Sequence, residues 1–199
     1  TIGRGGVFNH TAAADYNDGG GGMLILGGTL NNSSNNLLNI TNLSFTGGVF
    51  NNNGAGGANI TTATVGAGTS GLIQGSGALT LNTANIGGTL TVNSAISGAG
   101  ALSKLGAGTL YLNGANTYTG GTNINGGVLS VNGSILGPVN IGAAGTLKGS
   151  SSINGSVTNS GTLAPGNSIG TTTITGNYTH TAGAVYQVEA NAAGQSDKL

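Results

Sequence analysis

Cysteine and tryptophan are absent from the 199 residues, proline occurs twice, and only 4% of positions carry a formal charge. Each shortage excludes something. Without cysteine no disulfide can cross-link the chain, so stability must come from burial and hydrogen bonds. Two prolines against 42 glycines rule out a collagen helix, which also needs glycine at every third position. A net charge of zero with 37% hydrophobic residues does not fit disorder, which combines low hydrophobicity with high net charge. Arg4, Lys104, Lys148 and Lys198 stand singly. No basic stripe exists to neutralise phosphates, and nucleic acid is not an expected partner. No run of about 18 apolar residues offers a membrane-spanning helix. No signal peptide is visible at Thr1, and the chain reads as a piece excised from a longer protein.

What is present is a rhythm. Gly88-Thr89-Leu90-Thr91-Val92-Asn93 returns as Gly108-Thr109-Leu110-Tyr111-Leu112-Asn113 and again as Gly127-Val128-Leu129-Ser130-Val131-Asn132. Glycines stand at 28, 48, 68, 88 and 108, each 20 residues after the last. The phrase at Gly68-Thr69-Ser70 is degenerate, with its apolar pair displaced to Leu72 and Ile73. Such self-similarity is the mark of a solenoid, in which every turn of the chain buries the same kind of residue. Within a phrase the period is two, so Leu110 and Leu112 share one face of a strand. Gly-Gly, Asn-Gly and Gly-Ala-Gly separate the phrases and permit sharp corners.

The expected fold is therefore all-β, a parallel β-helix forming one segment over 1–199, with about ten coils of roughly 15–20 residues. Stacked at the strand spacing of about 4.8 Å, they make a rod roughly 45–50 Å long. Leu90, Val92, Leu110, Leu112, Ile124, Leu129 and Val131 are the expected inward core. Asn93, Asn113 and Asn132 each follow the phrase-opening glycine by five residues and are expected to hydrogen-bond along the axis as a corner ladder.

From Gly98 onward the text becomes specific. Residues 98–133, GAGALSKLGAGTLYLNGANTYTGGTNINGGVLSVNG, resemble the autotransporter-associated β-strand repeat, with Lys104, Gly106, Gly108-Thr109-Leu110, Asn116-Thr117-Tyr118, Gly120-Gly121-Thr122 and Gly127 on its pattern. Residues 161–199, with Leu163-Ala164-Pro165-Gly166-Asn167-Ser168-Ile169-Gly170, resemble the C-terminal motif region that follows in such passengers. Thr172 stands where that family often carries leucine, which should weaken one inward contact. The resemblance implies a right-handed parallel β-helix, the passenger of a bacterial type V secreted protein, exported through a C-terminal outer-membrane β-barrel. It also implies a place at the cell surface or outside the cell.

Chemistry finds little to work with. Glycoside cleavage on a β-helix needs clustered carboxylates, and the four acids are Asp15, Asp18, Glu189 and Asp197. The first pair lies far from the second. His10 and His180 have no third group nearby for a triad or a zinc site. Neither a Gly-Asp-Ser-Gly motif nor tandem calcium-binding nonapeptides occur. Asn-x-Ser/Thr at Asn9, Asn39, Asn42, Asn59 and Asn177 follows from composition. No catalytic residue, cofactor or metal is expected. Tyr111, Tyr118, Tyr178 and Tyr186 could line a sugar-binding face or simply cover a coil. The expected function is a non-catalytic surface rod for adhesion or cell–cell association, its partners being other copies or host and surface ligands. The alternatives are a polysaccharide-acting enzyme, a passive spacer for a more distal domain, or an ice-binding array. The last would need flat threonine rows, and the hints at Thr89/Thr91 and Thr171/Thr173 do not persist.

Overall fold

The computed structural model describes residues 95–199 without a break, residues 86–93, and shorter segments at 6–10, 16–17, 23–25, 29–32, 38–40, 43–45, 48–52, 58–60, 72–74 and 79–83. Asp15, Asp18, Asn42 and Gly68-Thr69-Ser70 lie outside the described residues, as do the side chains of His10, Asn39 and Asn59.

Short alternating phrases between glycine corners become strands, and among the described residues no helix occurs. All strand pairs are parallel, and the chain visits three faces in a fixed order. Face one stacks Val7–His10, Thr29–Asn32, Gly48–Asn52, Leu79–Thr83, Leu102–Leu105, Thr122–Ile124, Val139–Ile141, Val157–Asn159 and Tyr178–His180. Face two stacks Tyr16–Asn17, Leu38–Ile40, Ala58–Ile60, Thr89–Val92, Thr109–Leu112, Gly127–Val131, Gly145–Gly149, Thr162–Pro165 and Val185–Tyr186. Face three is split into Met23–Ile25, Leu43–Phe45, Leu72–Gln74 and Ile96–Ser97, then Ser134–Leu136, Ser151–Asn154 and Thr172–Ile174. The result is a parallel β-solenoid. Among the described residues its two long sheets are nine strands deep, which corrects the expected count of about ten coils.

The 20-residue glycine series is corrected too. The phrases at Gly28 and Gly48 lie on face one, whereas those at Gly88 and Gly108 lie on face two. Thr29–Asn32 stacks on Gly48–Asn52, but the next strand of that face is Leu79–Thr83, and its Asn82 sits 31 residues beyond Asn51. Leu72 and Ile73 belong to face three, below Ile96 and Ser97. A Gly-Thr-Leu phrase satisfies any face, so equal spacing did not mean equal place.

Inward side chains form columns. On face two Leu90, Leu110, Leu129, Leu147 and Leu163 stack in register, beside Val92, Leu112 and Val131. On face one Ile124 and Ile141 continue the column of Leu81 and Lys104, and face three adds Ile96, Ile135 and Ile153. All these apolar residues are buried, each contributing about 1.5–3 kcal/mol. Tyr111 points the other way and is only partly covered. Thr172 is fully buried and its hydroxyl donates to Gly149 O at 2.9 Å. The inward contact that leucine would make is thus replaced by a hydrogen bond, and the polar group is not orphaned.

Candidate functional site

Outward side chains also form columns, and these are polar. On face one Asn31 donates to Asn9, Asn51 to Asn31 and Asn82 to Asn51, at 2.7, 2.7 and 3.0 Å. At the edge of face two Asn113 donates to Asn93, Asn132 to Asn113 and Asn167 to Asn132, at 2.8, 2.8 and 2.7 Å. Asn140 donates to Asn123 on face one. All seven amides donate toward the N-terminal neighbour. Each bond uses one of two amide hydrogens and one of two oxygen lone pairs, so a ladder bond does not by itself exhaust either group. Sequence reasoning singled out Asn93, Asn113 and Asn132, which the structure brings together. It missed Asn9, Asn31, Asn51 and Asn82 because the 31-residue coil breaks their spacing. Beside that ladder runs a second outward column of Thr80, Ser103, Asn123, Asn140, Thr158 and Thr179. Neither column of face one contains a charged residue.

The residues of the 98–133 stretch have separate structural tasks. Asn116 is buried where face three lacks a strand. Its Oδ1 accepts from Ile96 N of one coil, and its Nδ2 donates to Ser134 O of the next, at 2.9 Å each. One amide thus replaces a missing ladder. Tyr118 is fully buried, its hydroxyl 2.6 Å from Thr122 Oγ1, and burial holds the phenol well above its ordinary value. It cannot reach a ligand, so it is removed from any sugar-binding face. Lys104, read from sequence as one more isolated cation, is buried in the face-one column. Its inward place was legible from the alternation of Leu102-Ser103-Lys104.

Acids and histidine do not converge among the described residues, where no three His, Cys, Asp or Glu side chains gather. Asp197 is buried, with one oxygen accepting from Gly170 N and the other from Glu189 N, both at 2.8 Å. His180 Nε2 donates to Ala184 O at 3.0 Å, so in the neutral ring Nδ1 accepts from the Tyr178 hydroxyl at 3.0 Å. That hydroxyl in turn accepts from Asn159 Nδ2 at 3.1 Å. The chain of bonds closes on a carbonyl and activates no nucleophile. A polar notch of about 380 Å³ is lined by Thr171, Gln195, Ser196 and Lys198, among others. Among the described residues two buried hydroxyls lack a partner, on Thr83 and Ser151, and neither lines the notch.

Residues 102–131 match the family described as Passenger-associated-transport-repeat. A protein named Extracellular serine protease, from Serratia marcescens, is 44% identical over 105 residues, covering 52% of this chain and 10% of that protein. Adhesin BmaC autotransporter, from Brucella suis biovar 1 (strain 1330), is 42% identical over 80 residues, covering 40% of this chain and 2% of that protein. The chain therefore spans a tenth or less of these curated relatives. No solved structure matches. With this repeat at 102–131, the parallel β-solenoid is similar to autotransporter passengers. The chain carries the passenger repeat itself, and its place is the bacterial surface or the space outside the cell.

Proposed function

We propose that this segment is a non-catalytic passenger rod contributing to adhesion or cell–cell association. The observation that carries the reading is the charge-free outward side of face one, where hydroxyl and amide columns set hydrogen-bonding groups on successive rungs. Like surfaces of this kind do not repel, and weak contacts multiply when many rods are tethered to one cell. The likeness to a protein named as an adhesin supports it. The full-length protein is proposed to end in an outer-membrane β-barrel, as passengers of this class do.

Displaying the passenger on otherwise non-aggregating bacteria tests the reading. Faster settling or surface attachment is expected, with slight salt dependence because few charges are available to screen. No change on display, or loss of the effect at high salt, overturns it. A second reading has its own support. The protein named as a serine protease is matched over only 10% of its length, so a rod of this kind can serve as a spacer beneath a functional domain elsewhere. Purified segment with no turnover of protein or polysaccharide fits both readings and excludes the enzymatic one.

A further inference from the structure

Lys104 follows Leu81 and precedes Ile124 and Ile141 in a column that is apolar on either side of it and turns polar only at Asn159, and its side chain is fully buried. No acid contributes to its titration. Instead Nζ donates to Leu105 O at 2.7 Å, Gly106 O at 2.9 Å and Gly126 O at 3.1 Å. An ammonium has three N–H groups and no acceptor, so its capacity is filled. The three carbonyls come from two successive corners between face one and face two. Gly106 and Gly127 turn those corners with φ of +77° and +61°. A Cβ on Gly127 would lie 2.4 Å from Gly106 O, so the corners nest only with glycine there.

The repeat itself creates a difficulty that this arrangement resolves. Thr109–Leu112 stacks on Thr89–Val92 below and on Val128–Val131 above, leucine upon leucine. A coil displaced by one rung would still bury leucine on leucine, because apolar packing does not distinguish the phrases. We propose that Lys104 is a register lock, a buried cation whose third donor is satisfied only when the Gly126 corner lies on the coil of Lys104. One coil further on the corner is one residue longer, with Gly142-Ala143-Ala144 between Ile141 and Gly145 where Asn125-Gly126 lies between Ile124 and Gly127, and it is closed by its own bond from Gly145 N to Gly142 O at 2.8 Å. A slipped stack therefore leaves a buried ammonium with an unfilled donor, which is strongly disfavoured.

The absence of cysteine makes register directly measurable. Ser103 neighbours Asn123 on the outer side of face one, and Asn123 neighbours Asn140. Cysteines introduced at Ser103 and Asn123 report the native register. Cysteines at Ser103 and Asn140 come within one rung only after a slip. With a thiol crosslinker that spans one rung and not two, the otherwise unchanged chain should join the first pair alone. After refolding, Lys104→Met should raise the Ser103–Asn140 product by about tenfold, as loss of about 1.4 kcal/mol of register preference would. If Lys104→Met does not fold, Lys104→Gln, which cannot supply three donors to those carbonyls, is read in the same way. A folded variant that joins only the native pair, like its parent, overturns the lock.

Discussion

The coil containing Lys104 and Asn116 and the final coil from Tyr178 onward follow the same path and are held in opposite ways. In the first, the inward positions Leu102, Leu110, Leu112 and Tyr118 are sealed, and the polar groups that enter the core are fully bonded there. In the last, Val185 and Tyr186 are 49% and 37% exposed and Tyr178 is only half-buried. Apart from the buried Asp197 carboxylate, order there comes from surface hydrogen bonds: Asn191 Oδ1 accepts from Ala193 N and Gln195 N, and Lys198 N donates to Gly170 O. Buried hydrogen bonds are costly to break because water does not replace the lost partner, whereas exposed ones are exchanged for water. The same fold should therefore answer very differently to equivalent substitutions in the two regions.

The largest contrast is a charge in an inward column. Leu110→Asp places an unpaired carboxylate among Leu90, Leu129 and their neighbours and should cost several kcal/mol or abolish folding. Val185→Asp and Tyr111→Asp, on exposed or outward positions, should each cost less than about 1 kcal/mol. Urea midpoints decide this, and comparable losses at Leu110 and Tyr111 would mean that the register of face two is wrong.

Next come the two asparagines that organise backbone. Asn116→Ala removes the acceptor of the buried Ile96 N and two donated bonds, an expected loss of about 2–4 kcal/mol. Asn191→Ala removes three exposed bonds and should cost about 0.5–1 kcal/mol. Equal effects in thermal unfolding would erase the distinction between sealed and open coils.

Much of this was legible and some was not, for identifiable reasons. Alternation in Thr109–Leu112 and Thr122–Ile124 specifies strands, and recurrence of the phrase specifies stacking, because both reflect what each coil must bury. Which face a phrase occupies depends on loop length between phrases, and a longer coil costs little extra closure entropy. That is why the 31 residues from Asn51 to Asn82 left no mark in composition. Asn116 and Tyr118 stood out only as members of a family pattern, since a side chain that substitutes for a missing strand has no period of its own. The buried hydroxyl of Thr83 has no partner, and nothing in the structure explains it.

A smaller effect separates Lys104 from the surface charges. Burial lowers its amine from 10.5 to about 8. The unfolded chain then binds more protons between those values, so stability should rise from about pH 8 to pH 10.5, by at most about 3 kcal/mol. Tyr118 works in the opposite sense. Its buried phenol stays protonated while the unfolded one ionises near 10.0, so stability falls above that pH. Chemical denaturation of the parent and Lys104→Met across pH 7 to 11 isolates the lysine. The difference between them should change through the window from 8 to 10.5, and a constant difference would mean that the ammonium and its three carbonyls offset burial completely.

The smallest expected effect concerns the exposed ladder at the edge of face two. Asn113 donates to Asn93 and accepts from Asn132, which in turn accepts from Asn167. All four are exposed, so water competes for every bond, and Asn113→Ala or Asn132→Ala alone should cost about 0.5–1 kcal/mol. The informative quantity is their combination. Each single change breaks two ladder bonds, but the bond between Asn113 and Asn132 is common to both, so the double variant breaks three. Its loss should fall short of the sum of the singles by about one exposed bond, roughly 0.5 kcal/mol, which a double-mutant cycle resolves. Strict additivity would mean that the amides are held by water one at a time. The edge of face two would then lack a fixed row of donors and acceptors, and the adhesive reading would rest on the columns of face one alone.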